Sequence, residues 1–321
     1  MLISVLLFVL GLVLLIKGGD WFVDGSVGIA HRFHIPEIIV GATVVSIGTT
    51  LPEVMVSATG ALEGLGSMAY GNAIGSVICN TSLIAAITLA VRPGTVDRKS
   101  LVMPVLFFFG AAALYCGTAY LVGYFSRVLG IVLLGIFVVY MVITVRQGFR
   151  NPVAPEEDGG EEKQRKLWQE LALLIVGAAV IAVGARLLVD NGTKIAEALG
   201  VPQTVIALTF VAPGTSLPEL VTAITSLIKG HGSLSLGNVI GANLFNLVLV
   251  SGVSVALAPF EVPSASQFLG HNASLVLDIP VMLGVMLLLT IPPLKNGKLH
   301  RWQGILLLCI YASYCVLQFT M

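Results

Sequence analysis

The sequence predicts an all-α polytopic membrane protein with ten transmembrane helices, arranged as two inverted five-helix repeats. Three observations carry this prediction. The 321 residues are 56% hydrophobic and only 11% charged, with mean hydropathy +0.97, whereas a soluble domain carries roughly 25% charged residues. Ten apolar runs reach spanning length. The second half of the chain repeats the first at a constant offset.

The runs fall near 2–30, 36–63, 68–91, 101–122, 126–146, 169–197, 202–228, 234–258, 273–292 and 302–320. The first, within "MLISVLLFVLGLVLLIKGGDWF", has no basic segment before it and no small-residue cleavage motif. It reads as a membrane helix, not a removed leader. The second and seventh runs carry GTTLPE (48–53) and GTSLPE (214–219). The third and eighth carry GNAIGSVICN (71–80) and GNVIGANLFN (237–246). Between the fifth and sixth lies the only long polar stretch, 147–168, rich in Pro, Gly and charge. Residues 1–146 are therefore a first five-helix repeat, 147–168 a cytoplasmic linker, and 169–321 a second repeat.

A shift of 166 aligns Asp24 with Asp190, Pro36 with Pro202 and Thr43 with Thr209, along with both motif pairs, and needs no gap over about sixty residues. The fifth and tenth runs match at a shift of 174. An odd number of helices per copy forces the copies to enter the membrane from opposite sides. Basic residues set the orientation. Of the 17 Lys and Arg, thirteen fall in loops on one side and one, Arg127, on the other; Lys17, Arg186 and Lys194 lie within the first and sixth helices. Both termini are thus expected outside, with the linker in the cytoplasm.

Zero formal net charge offers no footprint for nucleic acid, and the lipid bilayer is the one extended partner; no obligate protein partner is evident. Cys79, Cys116, Cys309 and Cys315 show no metal or disulfide spacing and read as inert thiols. The five histidines lie near loops and read as surface residues. Lys17 with Asp20, and Arg186 with Asp190, have the spacing to pair along their own helices.

The two LPE turns raise the chemical question. Proline has no N–H, so Pro52 leaves the Gly48 carbonyl without its helical partner and is expected to kink the helix; Pro218 does the same to Gly214. Irregular backbone at membrane depth survives only where it is buried in protein or lines a cavity. Thr49 and Thr50 share a face with Glu53, as Thr215 and Ser216 do with Glu219. The next helix of each half adds Asn72, Ser76 and Asn80, or Asn238, Ala242 and Asn246, as one stripe, with Gly71, Gly75, Gly237 and Gly241 allowing close approach. An intramembrane carboxylate without a cationic partner costs roughly 3 kcal/mol by insertion scales, so it marks function. Carboxylates, amides, hydroxyls and freed carbonyls form an all-oxygen set that selects hard cations such as Ca²⁺ and Na⁺.

The paired G-T-[TS]-L-P-E turns followed by paired G-N-x-I-G-[SA]-x-x-x-N stripes resemble the two α-repeats of the sodium/calcium exchanger, or cation/calcium antiporter, family, in its short prokaryotic form. The resemblance implies that the first and sixth helices slide over a core of the other eight. It implies Ca²⁺ held by Glu53 and Glu219 with the Thr49 and Thr215 carbonyls. It implies Na⁺ sites that add Thr50, Ser216, Ser76 and the backbone carbonyls of Ser46 and Ala212, with Asn80 and Asn246 lining the centre. Ala242 lacks the hydroxyl of its mate Ser76. Asn246 stands where potassium-dependent relatives carry Asp, which argues against K⁺ coupling.

The expectation is a secondary antiporter exchanging Ca²⁺ for Na⁺ by alternating access, with Ca²⁺/H⁺ exchange the alternative. Ca²⁺ and Na⁺ are cargo, and no cofactor is expected. No H-E-x-x-H, nucleophile–base or G-x-G-D signature suggests an enzyme.

Overall fold

The computed structural model describes residues 2–150, 165–199, 214–264 and 266–320. These residues form ten helices: α1 (Leu2–Arg32), α2 (Glu37–Leu62), α3 (Gly66–Val91), α4 (Arg98–Leu121), α5 (Arg127–Arg150), α6 (Leu167–Ala198), α7 (Leu217–Ile228), α8 (Gly232–Leu257), α9 (Ser274–Asn296) and α10 (Arg301–Thr320). Eight of them, all but α7 and α10, are long and apolar enough to cross a membrane. The protein is a mostly helical, integral membrane protein. The seventh predicted run is described only from Gly214 onward.

Helix ends follow the composition. Asp97 caps α4 by accepting from the Lys99 and Ser100 amides, at 3.3 and 3.0 Å. Gly297 ends α9 in the left-handed region, φ 69°. Short antiparallel ladders tie the two halves together at their loops: β1 (Tyr124–Phe125) pairs with β2 (Phe260–Glu261), and Thr95 bridges Lys298. β3 (Gln267–Phe268) and β4 (His271–Asn272) form a separate hairpin.

α1 and α6 lie antiparallel in backbone contact. A Cβ on Gly11 would meet the Gly184 carbonyl at 2.9 Å, one on Gly18 the Gly177 carbonyl at 3.0 Å, and one on Gly25 the Glu170 carbonyl at 2.7 Å. Glycine at every seventh position on α1, answered by Gly177 and Gly184 on α6, gives two helices a seam that no side chain separates. Their outer faces are apolar and exposed. A second close seam joins α2 to α8, where Gly237 packs on Ile38 and Gly241 on Ala42 and Ser46. The main core gathers α3, α4, α5, α8 and α9 around Phe108, Tyr115, Phe125, Tyr140 and Phe245.

Three helices carry an internal π turn that composition does not announce: Gly41–Val45 in α2, Asn80–Ala85 in α3 and Asn246–Val250 in α8. A fourth, Ser274–Asp278, opens α9. The wider turns free carbonyls that hydroxyls then satisfy: Tyr140 donates to Ala42 O at 2.9 Å, and Ser251 to Asn246 O at 3.0 Å. The α-helix Ser46–Leu62 runs through Pro52, whose missing N–H leaves the Gly48 carbonyl without its helical donor. The matching Pro218 sits in the first turn of α7, where a missing N–H breaks no bond.

Charged residues of α1 are paired differently from their sequence spacing. Asp20 meets Lys229 at 3.4 Å, not Lys17, because Lys229 arrives from the end of α7 and also reaches Asp24 at 2.7 Å. Arg186 and Asp190 do pair, at 3.7 Å. Arg32 binds the buried Glu170 of α6 at 2.7 Å. His231 is no free surface residue: its ring nitrogen Nδ1 lies 2.7 Å from Glu37.

Candidate ion-binding site

Glu53 and Glu219 are both completely buried. Among the described residues, none of their four carboxylate oxygens has a hydrogen-bond partner. Hydrogen bonds from Thr215 to Asn72 and from Asn72 to the Glu53 carbonyl join the two carboxylate-bearing segments. Two buried acids placed together carry a high desolvation cost and favour a cation between them.

The other predicted residues surround them unevenly. Ser46, Thr49, Thr50, Ser76, Asn80, Ser216 and Asn246 are buried, and Thr215 is half-buried. Ala212 lies outside the described residues. The Thr50 and Ser216 hydroxyls, and both polar atoms of Asn80 and of Asn246, are fully buried with no partner among the described residues. Asn80 and Asn246 each open a π turn, and both have φ −58° and ψ −38°. The duplicated positions therefore share backbone geometry as well as residue type.

Two further amides order the site. Thr49 Oγ1 donates to Asn238 Oδ1 at 3.2 Å, and Ser46 Oγ lies 3.0 Å from the Asn238 carbonyl. In the other copy, Thr215 Oγ1 donates to Asn72 Oδ1 at 3.3 Å. Asn72 Nδ2 in turn donates to Glu53 O at 3.2 Å and to Ser57 Oγ at 2.8 Å. Asn72 and Asn238 were legible as members of the polar stripes. Their crossing from one repeat to the threonine of the other was not, because a stripe on one helix does not name the helix it faces.

The structure also shows a carboxylate that the LPE motif does not reach. Asp278, in the π turn of α9, accepts from Tyr314 at 3.0 Å and Gln318 at 2.7 Å. It is satisfied where Glu53 and Glu219 are not. The signal available in the sequence was a lone Asp inside an apolar run.

The profile of the family described as sodium/calcium exchanger protein matches residues 3–146 and 170–320. This chain belongs to the sodium/calcium exchanger family. Its relatives include an uncharacterized membrane protein, MJ0091, of Methanocaldococcus jannaschii, 37% identical over 95% of this chain and 94% of that protein. The putative antiporter CaxA of Alkalimonas amylolytica is 35% identical over the whole of both chains. The fold is that of the solved sodium-calcium exchanger NCX_Mj soaked with Na⁺ and Sr²⁺, with TM-score 0.81, 36% identity and 97% of each chain covered. Family membership thus spans both halves and leaves out the polar stretch between them.

Proposed function

We propose that this protein is a secondary antiporter that exchanges Ca²⁺ for Na⁺ across a prokaryotic inner membrane by alternating access. The observation that carries the proposal is the pair of fully buried, unpartnered carboxylates, Glu53 and Glu219, repeated at matching positions. Their joint charge of −2 is neutralised by one Ca²⁺ or by two Na⁺, so the two loads compete for the same oxygens. Either load removes the electrostatic cost of the empty pair, and an unloaded pair resists a passage through the closed state. That coupling is what an exchanger needs.

Glu53 and Glu219, with the carbonyls of Thr49 and Thr215, form the Ca²⁺ ligand set in this reading. Thr50, Ser216, Ser76 and the carbonyls of Ser46 and Ala212 serve Na⁺, and Asn80 and Asn246 line the centre. Oxygen donors alone suit hard cations. NCX_Mj is a sodium-calcium exchanger by name, and its 36% identity over 97% of the chain supports the same cargo here. Ten spans in two inverted repeats, 1–146 and 169–321, with both termini outside, complete the proposal. The antiparallel α1–α6 seam supports it, since the leading helices of inverted repeats must run in opposite directions. That seam also suits a pair of helices moving together over the core.

The test is ⁴⁵Ca²⁺ uptake into proteoliposomes with Na⁺ and pH gradients imposed separately. Uptake driven by an outward Na⁺ gradient is expected. Uptake that ignores Na⁺ and follows pH alone would replace this reading with Ca²⁺/H⁺ exchange, and uptake without any counter-ion gradient would indicate a channel.

A further inference from the structure

Buried hydroxyls in this protein mostly satisfy themselves on their own helix. Ser26, Thr43, Thr81 and Ser82 donate to the carbonyl four residues earlier, at 2.7, 2.7, 2.8 and 2.5 Å. Two hydroxyls on α7 break this habit. Thr222 and Ser226 are completely buried, and neither hydroxyl has a partner among the described residues. Among the described residues the other free hydroxyls are Thr50 and Ser216 in the candidate ion site, and Tyr115, Thr144 and Thr193 on other helices.

The placement of Thr222 and Ser226 is directional. They stand three and seven residues after Glu219, on the same face of α7. At 1.5 Å rise per residue they extend about 10 Å from the carboxylate toward the end of the helix. Leu227, the next residue, lines a cavity of about 210 Å³ together with Thr88, Arg92, Gly230, Ser233 and Ser235. Arg92 donates across the cavity rim to Leu227 O at 3.3 Å, holding the ends of α3 and α7 together. The same end of the molecule carries Lys229 and Arg32.

Duplication does not account for these hydroxyls. The positions matching Thr222 and Ser226 are Val56 and Gly60; of the neighbouring hydroxyls, Ser57 accepts from Asn72 and Thr59 is exposed. A dehydrated cation moving between water and a buried carboxylate needs oxygens along the way. Free hydroxyls on one side only would provide them for one half of the route.

We propose that Thr222 and Ser226 are stepping oxygens of the ion path between Glu219 and the Arg92 cavity, which opens on the face carrying Lys229. The assignment rests on Glu219 being an ion ligand, and the basic-residue count puts that face in the cytoplasm. The Arg92–Leu227 contact joins two residues that line this cavity.

The experiment measures half-saturating Ca²⁺ on each face of oriented proteoliposomes. For the Thr222→Val/Ser226→Ala double variant it is expected to rise severalfold on the Lys229 face, with the opposite face at the wild-type value. Thr222→Ser/Ser226→Thr keeps both hydroxyls and is expected to restore the wild-type value, which a packing role would not do. An unchanged value on both faces, or an equal rise on both, overturns the proposal. If wild-type vesicles carry no Ca²⁺ at all, the antiporter reading fails and a second measurement still decides the path. Ser226→Cys, with the four native cysteines replaced by alanine, is treated with the cationic thiol reagent methanethiosulfonate ethylammonium from the Lys229 face. Reaction that Arg92→Gln accelerates supports the path, and a thiol unreactive in both backgrounds overturns it.

Discussion

Thr49 of the first repeat donates to Asn238 of the second, at 3.2 Å, and the duplication writes the same contact again in reverse as Thr215 to Asn72, at 3.3 Å. Each half thus fixes the threonine of the other, and neither site half is complete alone. A buried neutral hydrogen bond contributes about 1 kcal/mol net. The cycle Thr49→Val with Asn238→Ala is expected to show coupling of about 1 kcal/mol in Ca²⁺ affinity, as is Thr215→Val with Asn72→Ala. Additive effects in both cycles would show that the crossed contacts do not order the site.

Glu53→Gln and Glu219→Gln keep volume and remove charge. Each is expected to abolish Ca²⁺ flux. The Gln variants are also expected to unfold at a temperature no lower than the wild type in metal-free detergent, since an unpartnered buried charge is lost. Wild-type protein should gain thermal stability on adding Ca²⁺, rising with the logarithm of the ligand excess over Kd. Both variants should lose that gain. Near-normal flux in either would remove the carboxylate from the site.

His231 offers a pH prediction outside the membrane spans. Its hydrogen bond with Glu37 raises its pKa above the ordinary 6.5; burial and Lys229 oppose this, while the charges of Glu37 and Asp24 add to it. His31 approaches the same Glu37 at 3.9 Å. A raised folded-state pKa stabilises fully below the unfolded value, and the contribution is lost as pH rises through the folded value. His231→Gln should therefore lower the unfolding temperature most at pH below 6.5, with the deficit shrinking above it. A deficit constant with pH would mean that packing, not charge, is what His231 supplies.

Much of this architecture was legible because spanning length and duplication are long-range, repetitive signals. The offset of 166 placed Glu53 against Glu219 and Asn80 against Asn246, and the described helix ends, the start of α7 apart, fall within four residues of the predicted runs. What stayed hidden depends on packing. No local residue pattern announces the π turns at Gly41, Asn80 and Asn246. The pairing of Asp20 with Lys229 joins residues 209 apart, so the shorter Lys17 spacing misled. That Thr222 and Ser226 have no hydroxyl partner among the described residues is visible only once the neighbouring helices have positions.

The asymmetry between Ser76 and Ala242 gives the last prediction. Ala242 is fully buried on α8, and its added oxygen would lie four residues after Asn238. A serine there would ordinarily turn its hydroxyl back to the Asn238 carbonyl. Ser46 already lies 3.0 Å from that carbonyl, so the new hydroxyl has reason to face the ion site instead. A Na⁺ position short of one oxygen binds weakly, and supplying the oxygen should tighten it. Ala242→Ser is therefore expected to lower the Na⁺ concentration for half-maximal Ca²⁺ flux and to leave half-saturating Ca²⁺ nearly unchanged, because the hydroxyl is outside the proposed Ca²⁺ set. The measurement is flux in vesicles clamped at one pH. Equal gains for both ions would place the hydroxyl in the shared ligand set, and an unchanged Na⁺ requirement would show that position 242 faces away from Na⁺.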